Sequence, residues 1–142
     1  MREIKNIPPI LENLLKSPES DNLKGLTTDE LLSILKLIIE ELEKSSAVQY
    51  LGENFKDTVI VGDIHGEINT LSKLIPNFIE GKIQSIIFLG DYVDRGTHSL
   101  EVLLSVYALK LAFPDYICLL RGNHEDINAN KRYGFHDELR HS

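Results

Sequence analysis

Three short apolar runs, each closed by a polar block containing glycine, constrain this chain more than any other feature. Thr58–Val61 runs into Gly62-Asp63-Ile64-His65-Gly66. Ile86–Leu89 runs into Gly90-Asp91-Tyr92-Val93-Asp94-Arg95-Gly96. Tyr116–Leu120 runs into Arg121-Gly122-Asn123-His124-Glu125. Runs this short, rich in β-branched residues, read as strands. Between them, Ile68–Ile79 and Leu100–Phe113 space their apolar residues as helices do. Strands separated by helical crossovers predict an α/β fold with a parallel sheet and right-handed connections. Pro76 and Pro114 fall near the expected helix ends, where a missing N–H costs least.

Upstream, residues 1–26 are punctuated by Pro8-Pro9, Pro18 and Gly25 and hold at most short helical pieces. Thr27 and Glu30 then have capping-box spacing, in which each side chain satisfies a free backbone N–H. A helix over roughly 28–46 is expected to follow. Leu31, Ile34, Leu35, Ile38 and Leu42 form its apolar stripe. The stripe is expected to pack on the rest of the domain; the alternative is a helix that binds a partner. There is no internal repeat and no low-complexity stretch. A chain of 142 residues makes one domain and can bury about two-thirds of its unfolded surface, so it needs neither disulfide nor metal merely to fold.

Charge and cysteine content narrow the partners. Fifteen basic against 22 acidic side chains give a net charge of −7, with no charged tail. Such a chain is a poor match for the anionic backbone of nucleic acid, so no nucleic-acid partner is expected. The single cysteine, Cys118, can form neither an internal disulfide nor a thiolate zinc cluster, and reads as a small buried hydrophobe in a reducing compartment. Leu31–Ile39 is broken by Ser33 and Lys36 and is too short to span a bilayer. Pro8, Pro9 and Glu12 interrupt the N-terminal stretch where a secretory signal needs an apolar run. The expectation is a soluble intracellular protein, cytoplasmic and/or nuclear, with no membrane partner.

In an open parallel sheet, ligands bind just beyond the carboxyl ends of the strands. The three polar blocks should therefore converge on one crevice and bring Asp63, His65, Asp91, Asp94, Arg95, Asn123 and His124 within reach of each other. Carboxylates, imidazole and an amide oxygen, without thiolate, suit divalent ions such as manganese, iron or zinc. A shared carboxylate can hold two cations about 3.5–4 Å apart, the separation used in two-metal hydrolysis. Arg95 offers a planar fork of donors matched to phosphate oxygens. Each block alone could be ordinary turn and capping chemistry. Three in this order, each at a strand end, point to phosphoester hydrolysis.

GDIHG, GDYVDRG and RGNHE at this spacing resemble the phosphoprotein phosphatase family of serine/threonine phosphatases, within the calcineurin-like metallophosphoesterases. The likeness covers about residues 26–140 and includes Leu26-Thr27, Ser99-Leu100-Glu101 and Asn130-Lys131-Arg132-Tyr133-Gly134-Phe135. It implies a βαβαβ unit with metal-site loops at the strand C-termini, the N-terminal half of a β-sandwich, preceded by a helical segment. Residues 1–26 would be an N-terminal extension and 27–142 the first half of the catalytic domain. Two divalent ions (Mn, Fe or Zn) are implied as cofactors, with Asp63 and His65 on the first, Asp91 bridging, and Asn123 on the second and touching phosphate. Arg95 would hold phosphate oxygens, and His124, oriented by Asp94, would protonate the leaving alkoxide. A metal-bridging hydroxide would attack phosphorus in line, without a phosphoenzyme. Phosphoproteins, and regulatory subunits, would be the partners.

The family's domain continues for about as long again and supplies further metal-binding histidines and a second phosphate-binding arginine. A chain ending at Ser142 is therefore expected to fall short of full activity alone. His98, His136 and His141 are expected at the surface, away from the ligand set. Asp126 stands where the type 1 and 2A enzymes usually carry cysteine. The rival readings are another metallophosphoesterase, such as a bis-nucleoside tetraphosphatase or a bacterial-type protein phosphatase, and a non-catalytic phosphatase-like binding module.

Overall fold

The computed structural model describes residues 1–18 and 23–141. Its elements are α1 (Pro9–Lys16), α2 (Thr28–Leu42), a single 3₁₀ turn (Glu53–Phe55), β1 (Thr58–Val61), α3 (Ile68–Ile79), β2 (Ser85–Phe88), α4 (Ser99–Ala112), β3 (Ile117–Leu119), α5 (Ile127–Tyr133) and α6 (Phe135–His141). The strands form one parallel sheet in the order β1-β2-β3. The register aligns Val61 with Phe88 and Phe88 with Leu119, so all three strands end at the same level. The expected α/β architecture is therefore the one observed.

The core forms where the apolar pattern directs it. Helix α4 reads SLEVLLSVYALKLA, apolar nearly all round, and such a helix must be buried on several sides. It packs against α1, α2, α3, α6 and β3. Leu71, Ile75 and Phe78 of α3 and Ile86 and Phe88 of β2 complete the interior. Ile60 on β1 is 63% exposed, so among the described residues nothing covers that part of the sheet. Segment 1–18 packs into the same core. Pro9 sits at the first position of α1, where its missing N–H is no loss, and Leu11, Leu14 and Leu15 are buried.

The predicted elements lie within a residue or two of the observed ones, with one correction. Helix α2 stops at Leu42 rather than near residue 46. Past Leu42 the side chains of Glu43, Lys44, Ser45 and Ser46 are all exposed, so no burial sustains the helix, and serines favour turn hydrogen bonds. The capping box forms as expected: Glu30 N–H donates to Thr27 Oγ1, and Thr27 N–H donates to Glu30 Oε2 at 2.9 Å. Pro76 lies inside α3, in its last turn.

Arg2 ties the N-terminus to the end of α3 through both its backbone and its side chain. Arg2 N–H donates to Ile79 O at 2.7 Å. Its guanidinium donates to Phe78 O, to Ile83 O at 2.9 Å and to Gln84 O at 2.7 Å, and lies 4.1 Å over the Phe78 ring. It thus adds donors to carbonyls at the end of α3 and in the following turn, of which Phe78 O also accepts from Gly81 N–H. Hydrogen bonds to charged groups contribute about 1.5–3 kcal/mol each, less where water can replace them. Arg2→Ala should lower stability by about 2 kcal/mol. Urea unfolding of both proteins checks this; a loss under about 0.5 kcal/mol would mean that water serves those carbonyls equally well.

Candidate functional site

The three loops beyond the strands are tied to one another through backbone groups. Leu89 N–H donates to Val61 O and Leu120 N–H to Phe88 O, both at 2.9 Å, carrying the ladder past the strand ends. Ile64 and His65 N–H both donate to Asp91 O at 3.0 Å, and Gly66 N–H to Tyr92 O at 2.9 Å. The first loop therefore hangs on the second. The third is held by Glu125, whose carboxylate accepts from Asp91 N–H (2.7 Å), Tyr92 N–H (2.8 Å) and Gly122 N–H (2.9 Å). The approach is close: a Cβ on Gly122 would fall 2.2 Å from Asp91 Oδ1, so only glycine fits there.

These turns are strained. His65, Asp91, Asp94 and Arg95 all have φ between +46° and +71°. Non-glycine residues rarely adopt such angles, and the surrounding structure must hold them there. Among the described residues Asn6 is the only other non-glycine residue with positive φ. The strain is concentrated where three loops meet, as it commonly is at functional sites.

Asp63, His65 and Asp91 present one ligand atom each within 4.8 Å of one another. The His65 ring shows which atom is available. Nδ1 lies 2.8 Å from Val93 O, and a carbonyl only accepts, so Nδ1 carries the ring proton. Nε2 is the ring atom left facing the carboxylates, 3.7 Å from Asp63 Oδ2. A histidine that gives its other N–H to a carbonyl is oriented as metal-ligating histidines usually are. The donor set thus fits a hard or borderline divalent cation. Asp63 is 68% exposed and Asp91 is buried, so the cluster opens to solvent on one side. Asp91 Oδ1 accepts from His124 N–H at 2.8 Å, which fixes one carboxylate oxygen.

His124 and Asp94 form a buried pair beside this cluster, 3% and 0% exposed. His124 Nδ1 lies 2.9 Å from Asp94 Oδ2. Arg95 Nη2 lies 3.2 Å from His124 Nε2. A guanidinium only donates, so Nε2 accepts here and Nδ1 donates to Asp94. Burial alone would raise the Asp94 carboxyl. Donors from His124, Phe135 N–H (3.0 Å) and Asn130 (3.0 Å) outweigh it and hold the group below the ordinary carboxylate range. Asp94 is therefore ionised and aimed at the imidazole. The His65 and His124 rings meet edge to face, 4.6 Å between centroids, which joins the donor cluster to the pair.

Six of the seven sequence-predicted residues are thereby linked through these contacts. Asn123 occupies the same turn, between Gly122 and His124, but is exposed and its amide makes no hydrogen bond among the described residues. His98, expected at the surface, precedes α4 without a side-chain capping bond and is exposed; His136 is half-buried and His141 exposed, both on α6. Sequence reasoning assigned no role to Glu125, Asn130, Tyr133 or Phe135. The Tyr133 ring lies 5.0 Å from that of His124, and its carbonyl accepts from Arg95 N–H. The only signal for Glu125 was that backbone N–H groups in tight turns need acceptors. Asp126 has a local reason of its own: it caps α5, accepting from Asn128 N–H at 2.9 Å.

Residues 57–142 match the family model of the calcineurin-like phosphoesterases. The chain is 39% identical over 116 residues to the serine/threonine-protein phosphatase 4 catalytic subunit of Kluyveromyces lactis, covering 82% of this chain and 37% of that protein. It is 38% identical over 109 residues to human serine/threonine-protein phosphatase 5, covering 75% and 22%. Its fold matches a serine/threonine phosphatase from Saccharomyces cerevisiae, described as similar to human phosphatase PP5, with a TM-score of 0.77 and 33% identity. That match covers 92% of this chain and 43% of the other. The chain thus spans less than half the length of each of these relatives.

Proposed function

The chain belongs to the calcineurin-like phosphoesterase family, and we propose that in its full-length protein it carries the metal and acid machinery of a serine/threonine protein phosphatase. The observation that carries this reading is the adjacency of two arrangements. One is an open His65 Nε2 among carboxylates; the other is a buried, ionised Asp94 paired with His124 beneath an arginine. Hydrolysis of an alkyl phosphoester uses both a cation site and a proton donor within reach of one phosphorus.

On this reading Asp63, His65, Asp91 and Asn123 hold two divalent ions, Mn, Fe or Zn by the chemistry of the donors. Ions bound there supply Lewis acidity and a nucleophile at neutral pH. Arg95, exposed and next to His124, turns its fork to phosphate oxygens and thereby leaves His124 Nε2. His124 can then carry a proton on Nε2 and give it to the departing serine or threonine oxygen. Asp94 keeps the ring oriented and stabilises its charged form. Phosphoproteins are the proposed substrates; the same kinds of molecule are named for the relatives.

The test is release of phosphate by the full-length protein from a phosphoserine peptide, from 4-nitrophenyl phosphate and from a dinucleoside tetraphosphate, with Mn²⁺ and after chelation. Mn²⁺-dependent turnover of the peptide is expected, with the tetraphosphate slow. A preference for the tetraphosphate would overturn the substrate class. Bound metal without turnover of any of the three would mark a binding module instead.

Glu125 supplies an independent check on the loop architecture. Glu125→Gln replaces one acceptor oxygen by an amide nitrogen facing a backbone N–H, so the loops carrying Asp91 and Gly122 loosen together. Residues that orient metal ligands are typically worth about 10–100-fold in metal affinity, and a weakening of Mn²⁺ binding in that range is expected. Unchanged affinity in a calorimetric titration would show that the loops hold their shape without the carboxylate.

A further inference from the structure

We infer that Asn130 is a positioning residue for the proton donor: its side-chain amide locks Asp94 to the backbone of His124 and so sets the direction of the imidazole. This rests on the reading of His124 as the acid. Asn130 Nδ2 lies 3.0 Å from Asp94 Oδ2 and 2.7 Å from His124 O. Both neighbours are acceptors, so the amide nitrogen must face them, and its two N–H groups are fully used. One planar group therefore bridges the carboxylate and the chain that carries its histidine partner.

Helix α5 has no need of this side chain. Asp126 caps its start, Gly134 in a left-handed turn closes it, and Asn130 N–H already donates to Asp126 O at 2.9 Å. Asparagine inside a helix is less favourable than alanine. Its use here is explained by the contact it makes rather than by the helix. Asp94 Oδ1 is held separately by Phe135 N–H, which the reversal at Gly134 delivers. Without Asn130 the carboxylate keeps that one anchor and the Nδ1–H of His124, and can turn about its last bond. The imidazole would then lose its fixed aim. Misplacement of a reacting group by about 1 Å can cost on the order of 10²-fold.

The experiment compares Asn130→Ala, Asn130→Asp, His124→Asn and the double variant Asn130→Ala/His124→Asn in the full-length protein with Mn²⁺. Asn130→Ala should lower kcat on a phosphoserine peptide by about 10–100-fold, with much less effect on 4-nitrophenyl phosphate, and with KM and metal content held. Asn130→Asp keeps the shape but removes both donors, so it should be no better than alanine; near wild-type activity would show that the site needs only volume. The double variant should be no slower than His124→Asn alone, because a residue acting through His124 has nothing left to act on. Additive losses, or equal losses on both substrates, would overturn the inference. The ¹⁵N spectrum of the His124 ring gives a reading without turnover: Asn130→Ala should broaden or shift the Nδ1–H resonance, and an unchanged resonance would overturn it. If His124→Asn itself showed no dependence on the leaving group, the reading of His124 would fall, and the ring spectrum would still decide the positioning role.

Discussion

Asp91→Asn is expected to strip the site of metal and to abolish activity on every substrate alike. The substitution is nearly isosteric, so its effect can be assigned. Asparagine tolerates a left-handed backbone, and Asp91 has φ +54°. Its side-chain oxygen can still accept the His124 N–H now bound at 2.8 Å. What the change removes is a negative charge at the centre of the donor cluster, where Asp63 is largely exposed and His65 brings no negative charge. Affinity for Mn²⁺ should fall by more than the roughly 10–100-fold typical of residues that only orient ligands. Elemental analysis together with rates on the phosphoserine peptide and the aryl phosphate checks this. Both rates should fall by the same factor, restored in part by excess Mn²⁺. Full metal content in this variant would mean that Asp91 serves the loop and not the ions.

Periodicity located α3 and the three strands within a residue or two, because their apolar residues face one core. The polar blocks after the strands placed the donors, because parallel strands that end level must present their loops together. Other features depend on partners distant in the chain. Glu125 clamps Asp91 and Tyr92 across more than 30 residues, and Phe135 N–H reaches Asp94 from 41 residues away. No local pattern announces such pairings. The same holds for α1: the prolines and glycine of residues 1–26 allowed short helical pieces but did not show where they pack, and Leu11 and Leu14 are fully buried, with α1 against α4. The stop of α2 at Leu42 was hidden for the opposite reason. Charged residues continue its pattern beyond that point, but nothing there is buried to reward another turn.

His124→Asn is expected to leave bound metal in place and to act through the leaving group. His124 is buried and its Nδ1 faces Asp94 at 2.9 Å, while among the described residues Nε2 has Arg95 as its hydrogen-bond neighbour. The variant loses the edge-to-face contact with the His65 ring but keeps the hydrogen bonds of the cluster, since His65 is oriented by Val93 O and Asp91 by the His124 backbone. An alkoxide from serine leaves with a high pKa and needs a proton as the bond breaks; a nitrophenolate scarcely does. Loss of a general acid typically costs about 10²–10⁴-fold, so the phosphoserine peptide should slow by that factor and the aryl phosphate by far less. Asp94→Asn should follow the same pattern more weakly. It keeps the volume but removes the charge that three donors hold ionised. The measurement is metal content with both rates for each variant. If His124→Asn loses metal, or slows both substrates equally, His124 is a ligand or a structural residue. The approach of Arg95 Nη2 to His124 Nε2 would then serve some purpose other than bringing phosphate to an acid.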